Sequence, residues 1–312
     1  MIMFTSIGRA ASLAAAALVT LALLSSASQA QQTYSSPEEA AAALVAAVRT
    51  GTKTAILKVL GRNAEDIVES GDDVADAEAR QRFVAGYDAR HSIKAEENKK
   101  TILVLGLEDF AFPIPLINNK HGWEFDTTAG RTEILYRRIG RNELDAIQTS
   151  LAYVDAQNEY ADKDRGEGAG VYAQRIISSS GRKDGLYWPA SGDDASPLGE
   201  LVAQASSEGY KAGAGRAPYH GYYYRILTQQ GPNAPGGALN YVVKGKMIGG
   251  FALVAYPAEY GNSGVMTFVV NHAGMIYQKD LGENTAAVAK QMVFFDPDKS
   301  WKKVDAANAR GP

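Results

Sequence analysis

The hydrophobic period of the chain changes once in its second half, and that change decides what it can fold into. Leu144, Ile147, Leu151 and Val154 recur at steps of three and four on a segment running from about residue 130 to 161. One stripe of a long helix therefore faces a core, while Glu143, Asp145, Gln148, Asp155 and Glu159 are expected to face water. Gly140 marks an expected kink or break. After a stretch rich in Gly, Ser, Asp and Pro, the pattern turns to short β-branched and aromatic runs: "YHGYYYRILT", "ALNYVVKG", "MIGGFALVAYP", "GVMTFVVNH" and "GMIYQKDLG". A one-sided helix and one-sided strands bury their apolar surfaces against each other, which predicts an α+β fold with the helix packed on an antiparallel sheet. Alternation within "YYYRIL" puts Tyr222, Tyr224 and Ile226 on one face and Tyr223, Arg225 and Leu227 on the other. The first set is expected in the core, with Leu253, Phe268, Val270, Leu144, Ile147 and Leu151.

The preceding region carries its own signals. "SSPEEAAAALVAAVRTG" has Ser36 as a cap, Pro37 at the first helical position and Gly51 past the end. Two more helical patterns come next, over "TKTAILKVLG" and "DDVADAEARQRFVAGYDARH". "TILVLGLEDFAFPIPLINNKHGWEFDT" then reads as a small antiparallel meander, with Pro113 and Pro115 at an edge or bend because proline donates no ladder hydrogen bond. The organisation expected is an N-terminal α+β domain over residues 31–126 and a C-terminal domain over 127–312. The latter divides into a long helix at 130–161, loops at 162–215, with a short helix near Pro197 to Glu208, a sheet at 216–282 and a tail at 283–312.

Residues 1–30 read as a cleavable signal peptide: Arg9, an apolar run from about Ala10 to Leu24, then Ser28 and Ala30 as the small pair before cleavage. The apolar run is shorter than the roughly 20 residues a spanning helix needs, so no transmembrane segment is expected after processing. The reading is periplasmic or secreted. The sequence contains no cysteine, which excludes disulfides, thiolate nucleophiles and Cys-ligated metals. A formal charge of −3 with interspersed signs offers no basic stripe for nucleic acid.

The chemistry-bearing patterns are sparse. "GPNAPGG" matches neither a Walker nor a dinucleotide loop and precedes a strand-like run, so it reads as a strand connection whose glycines supply positive φ. The histidines are His91, His121, His220 and His272, none spaced as a helical metal pair. His220 and His272 are candidates to meet across strands, with Glu259 or Asp280 to complete an acid–base or metal cluster, and His121 is a further catalytic candidate. "RRIGRNE" offers Arg137, Arg138 and Arg141 for an anionic group; the alternative is that they cover the domain junction and pair with Glu133, Glu143 and Asp145. Tyr223 and Arg225 are candidate binding residues on the second face of their strand. "GNSGV" at Ser263 misses the nucleophile elbow, and "SWKK" at Ser300 matches S-x-x-K in a polar tail. The acidic clusters Asp72-Asp73, Asp162-Asp164-Glu167 and Asp193-Asp194 miss the calcium-loop spacing and read as solvated charge. No metal and no cofactor is expected.

One long helix followed by a sheet ending in "TFVVNHAGMIYQKD" resembles the globular part of type IV pilins and pseudopilins over roughly Asn142 to Gly282. The upstream "LYRRIGRNEL" is polar, unlike the apolar helix half by which pilins enter filaments. The set "FPIPL", "GWEFDTTAG", "RRIGRNELDAI", "YHGYYYRILTQQGPNAPGGA", "GFALVAYPAEYGNSGVMTFVVN" and "YQKDLG" resembles an uncharacterised bacterial family of exported proteins known only as a domain of unknown function. That resemblance implies export to a Gram-negative-type envelope and carries no catalytic residue. The function expected is that of a non-catalytic binding or structural module whose partner is an envelope protein or a small ligand. The alternative is a periplasmic hydrolase or isomerase with an acid–base pair at the domain junction.

Overall fold

The computed structural model describes residues 31–95, 100–190, 194–211 and 217–305. Ser36 Oγ accepts the Glu39 N–H at 3.1 Å and opens α1 (Pro37–Arg49), satisfying one of the free amides every helix start leaves. After it come α2 (Lys53–Leu60), a 3₁₀ turn at Arg62–Ala64, the single-turn α3 (Glu65–Val68) and α4 (Asp73–Ala89). Next, β1 (His91–Ala95), β2 (Lys100–Leu105), β3 (Phe110–Ala111), β4 (Leu116–Asn119) and β5 (Gly122–Phe125) form an antiparallel sheet in the order β1-β2-β4-β5, with β3 on β2. Pro113 and Pro115 fall between β3 and β4, at a bend where no ladder donor is needed. Leu44, Ile56 and Val59 from α1 and α2 pack with Ile114, Leu116 and Phe125 into the first core.

From here α5 (Thr127–Ala161) leaves, capped by Asp126, whose side chain accepts from Ala129 N at 3.0 Å. Its first turns press on the β3–β4 bend so closely that a Cβ at Gly130 would come 2.6 Å from Ile114 Cα. The helix runs unbroken through Gly140, where the sequence predicts a break. A mid-helix glycine costs about 1 kcal/mol, and the packing of α5 on both sides of it offsets that.

An irregular stretch containing α6 (Gly199–Ser207) leads to β6 (Tyr222–Leu227), β7 (Gln229–Gln230), β8 (Leu239–Asn240), β9 (Val242–Val243), β10 (Lys246–Met247), β11 (Ala252–Pro257), β12 (Met266–Asn271) and β13 (Ile276–Asp280). The described chain closes with α7 (Thr285–Gln291), β14 (Phe294–Phe295) and β15 (Lys302–Lys303). The main sheet runs β15-β13-β12-β11-β6, all antiparallel, beside a small sheet β14-β7-β8 and the pair β10-β9. The fold is α+β. "GPNAPGG" joins the antiparallel β7 and β8, with Gly236 and Gly237 at φ 90° and 78° as that connection requires. "ALNYVV", expected as one strand, is divided between β8 and β9.

Register places Tyr224, Ala255 and Phe268 in one row and Ile226, Leu253 and Val270 in the next, and Tyr224 meets Thr149 of α5. This is the helix-facing side, as alternation predicts. Two expectations fail. Leu144 is 41% exposed rather than buried. The packed stripe of α5 runs through Asn142, Ala146, Ser150, Tyr153, Gln157 and Tyr160 alongside Ile147 and Val154. The cause is that its polar members have partners: Asn142 Nδ2 donates to Ser263 O at 2.9 Å, and the Gln157 amide donates to Ala173 O at 2.8 Å and accepts from Ala173 N at 2.9 Å. A purely apolar count cannot register such positions. The second failure is the other sheet face, which α7 and β14 cover. All six β11 residues are buried, and Phe295 lies 5.9 Å from the Tyr277 ring. No helix among the described residues is long and apolar enough to cross a membrane.

Candidate functional site

Two places gather polar side chains, and they differ in what those side chains touch. The first lies where α3, α4, α5, α6 and β6 meet. Arg138 on α5 reaches α3, where Nη1 donates to Asp66 O at 2.7 Å and Nη2 to Ile67 O at 2.6 Å. It also donates to Asn262 Oδ1, and Asn262 Nδ2 donates onward to Glu69 O and to Glu259 Oε2, at 2.9 and 2.8 Å. Burial lowers the Arg138 pKa, an effect that nearby Asp76 and Asp66 oppose.

Asp72, expected among solvated loop charges, is buried with 2% of its surface exposed. Its position explains this. Oδ1 caps α4 by accepting from Val74 N and Ala75 N, while Oδ2 accepts from the Tyr210 hydroxyl and Gly221 N, both at 2.8 Å. His220 is placed by the same chain of contacts: its N–H reaches the Tyr210 oxygen at 3.3 Å, and its backbone sits at φ 48° in the left-handed region. The ring's Nδ1 lies 3.4 Å from Asp145 Oδ2 and its Nε2 lies 3.1 Å from Glu208 Oε2, the latter out of line for a hydrogen bond. Tyr219 packs edge-on at 4.2 Å. Burial raises the Asp145 carboxyl; His220 and Arg141 pull it down and Glu208 pushes it further up. Burial likewise raises the Tyr210 and Tyr219 hydroxyls, with Asp72 and Glu208 the leading charges against them respectively.

The remaining sequence candidates are dispersed. Arg137 pairs with Glu133 at 2.6 Å and lies 5.5 Å over the Phe110 ring. Arg141 is exposed on α5. Glu143, expected in water or on an arginine, accepts from Val265 N and Met266 N at 3.0 and 2.9 Å and so holds the start of β12. Asp145 faces His220 rather than water. Arg225 donates to Ala289 O and Met292 O at the C-terminal end of α7. Tyr223 packs 5.6 Å from Tyr256. His121 is exposed in the turn between β4 and β5, its N–H on Asn119 Oδ1. His220 and His272 are not brought together in one cluster, and among the described residues no group of three His, Asp or Glu side chains is disposed to hold a metal ion.

The second place is a groove of about 610 Å³ along the outer side of α5, floored by Leu151 and Val154 and rimmed by Gln148, Asp155, Asn158 and the His272-Ala273-Gly274 turn between β12 and β13. The His272 ring is buttressed edge-on by Tyr241 and Phe251 at 6.0 and 6.3 Å. Partial burial lowers its pKa and favours the neutral imidazole. Gln148, Asp155 and Asn158 are exposed, and neither they nor His272 make a side-chain hydrogen bond among the described residues. A second depression, of about 450 Å³ between α3 and the start of α5, is lined by Arg62, Glu65, Asp66, Glu69, Arg131 and Glu259, with Arg131 paired to Asp66 and Glu65 and Glu69 sharing Lys53.

Residues 31–304 match the family described as a protein of unknown function (DUF2950). The chain belongs to the DUF2950 family. No curated protein and no solved structure matches it. Within the DUF2950 span lie both the junction and the groove. Sequence reasoning missed Tyr210, Glu208 and Asn262 altogether and saw Gln148 and Asp155 only as solvent-facing. The one legible signal was Asp72, an acceptor immediately before a helical pattern, which is cap chemistry.

Proposed function

We propose that this DUF2950 protein is exported to the cell envelope after cleavage behind Ala30 and acts there without catalysis, by binding a small polar ligand in the groove along α5. The observation that carries the reading is the contrast in hydrogen bonding. Arg138 and Asp72 are held by hydrogen bonds to backbone and side-chain groups of the protein itself, whereas Gln148, Asp155, Asn158 and His272 converge on one groove with no side-chain hydrogen bond among the described residues. Ligand sites combine an apolar floor with a few convergent polar groups, and Leu151 and Val154 supply that floor. The junction fits an acid–base site less well, because both ring nitrogens of His220 already face protein carboxylates.

Backbone amide shift mapping with a panel of neutral mono- and disaccharides and blocked dipeptides tests the binding claim. Saturable shifts are expected at Gln148, Asp155, Asn158 and His272, abolished in Asn158→Ala. Shifts confined to the depression at Arg131 and Glu259 would overturn the assignment. Export is checked separately by intact mass, with Gln31 expected as the first residue.

A further inference from the structure

We propose that His220 is a proton-operated latch that holds the C-terminal end of α6 onto the junction of α4, α5 and β6. The inference is independent of the groove. α6 packs on the core through the half-buried Leu201 and Val202 of its first turns and has no fully buried residue; just beyond its C-terminal end, Glu208 lies against His220 Nε2 at 3.1 Å and Tyr210 donates to Asp72 at 2.8 Å. The imidazole thus stands between Glu208 and Asp145, at 3.1 and 3.4 Å. A neutral imidazole carries one N–H, leaving a lone pair on the other nitrogen. Flanked by two carboxylates, it would set that lone pair against an anionic oxygen. Only the imidazolium places positive charge between the two carboxylates.

The groups around the ring are Asp145 of α5, with Arg141 acting on that carboxylate; Glu208 and Tyr210 beyond α6; and Tyr219 just before β6, while Tyr224 of β6 and Asp72 at the start of α4 lie behind them, against Tyr219 and Tyr210. The left-handed backbone of His220, uncommon for a residue with a Cβ, fixes the ring in this position. Histidine side chains change charge between about pH 5 and 8. The contact is present while the ring is protonated and is lost as pH rises through that range. At the acid end, protonation of Asp145, whose carboxyl burial raises, removes one of the two partners. Release frees Glu208 and Tyr210 and uncovers Tyr219 and Asp145 at the junction.

Hydrogen exchange of the full chain, corrected for intrinsic exchange and read on amides of residues 199–210 with those of β11 as an internal control, tests the latch. Between about pH 5.5 and 8 the protection of this segment should fall roughly fivefold, the worth of one charge pair near the upper end for surface pairs, while β11 stays level. In His220→Asn, which tolerates the left-handed backbone, and in Glu208→Gln, which leaves that backbone untouched, the fall should shrink below about twofold, because the charge contact is gone. Equal protection of the wild type at both pH values overturns the latch. So does an undiminished fall in either variant, and Glu208→Gln decides alone if His220→Asn does not fold.

Discussion

The two sides of α5 carry similar residue types and do opposite things. On the junction side, Arg138, Asn142, Glu143 and Gln157 are tied to backbone groups of α3, the loop before β12, β12 itself and Ala173. On the groove side, the exposed side chains of Gln148, Asp155 and Asn158 make no hydrogen bond or ion pair among the described residues. The lesson is that charge or amide character does not separate structure from recognition; the fate of each donor and acceptor does. A buried polar atom is stabilising only when paired, so removing its partner is costly, whereas an exposed one can be changed with little effect on stability.

The largest effect expected is for Arg138→Ala, which strips Asp66 O, Ile67 O and Asn262 Oδ1 of their donor. The loss should be about 2–4 kcal/mol in urea melts, given what partly buried charged hydrogen bonds contribute and what unsatisfied partners cost. Asp72→Ala comes next: it removes a helix cap together with the partners of Tyr210 and Gly221, for about 2 kcal/mol. Asp72→Asn should recover part of this, because an amide oxygen still accepts at the cap, and a loss equal to that of the alanine would show the cap to be unimportant.

The same physics governs how much of the molecule is legible in its sequence. The α+β architecture, the cap at Ser36 and the helix-facing row of Tyr222, Tyr224 and Ile226 were legible because they rest on periodicity and local capping, which neighbouring residues determine. The buried stripe of α5 was misread at Leu144, because Asn142, Ser150 and Gln157 are buried by virtue of partners 121, 4 and 16 residues away. The covering of the second sheet face by α7 was illegible for a similar reason, since Arg225 meets carbonyls 64 and 67 residues later in the chain. The His220 contacts and the groove both arise between elements distant in sequence, and no local spacing encodes either.

Smaller effects sharpen the groove side. Asp155→Asn and Asn158→Ala should each change stability by less than about 0.5 kcal/mol, as surface changes away from packed features do. A loss near that of Asp72→Ala would show that these residues have a structural role. The smallest effect is that of His272. Its folded pKa lies below the ordinary 6.5 because burial disfavours the charged ring. Its contribution to stability is therefore full above the unfolded value and is lost as pH falls through that value toward the folded one. A proton titration followed on the ring resonances should give a midpoint under 6.5, and a midpoint above it would mean that an acidic neighbour governs the ring.

The central claim is that polar groups on the junction side of α5 hold the fold together and those on the groove side do not. Parallel urea melts of Arg138→Ala and Asn158→Ala test it most directly. The account predicts unchanged slopes and stability losses that differ by at least about 1.5 kcal/mol, with Arg138→Ala the lower in stability. Equal losses in the two variants, or a greater loss in Asn158→Ala, would contradict it.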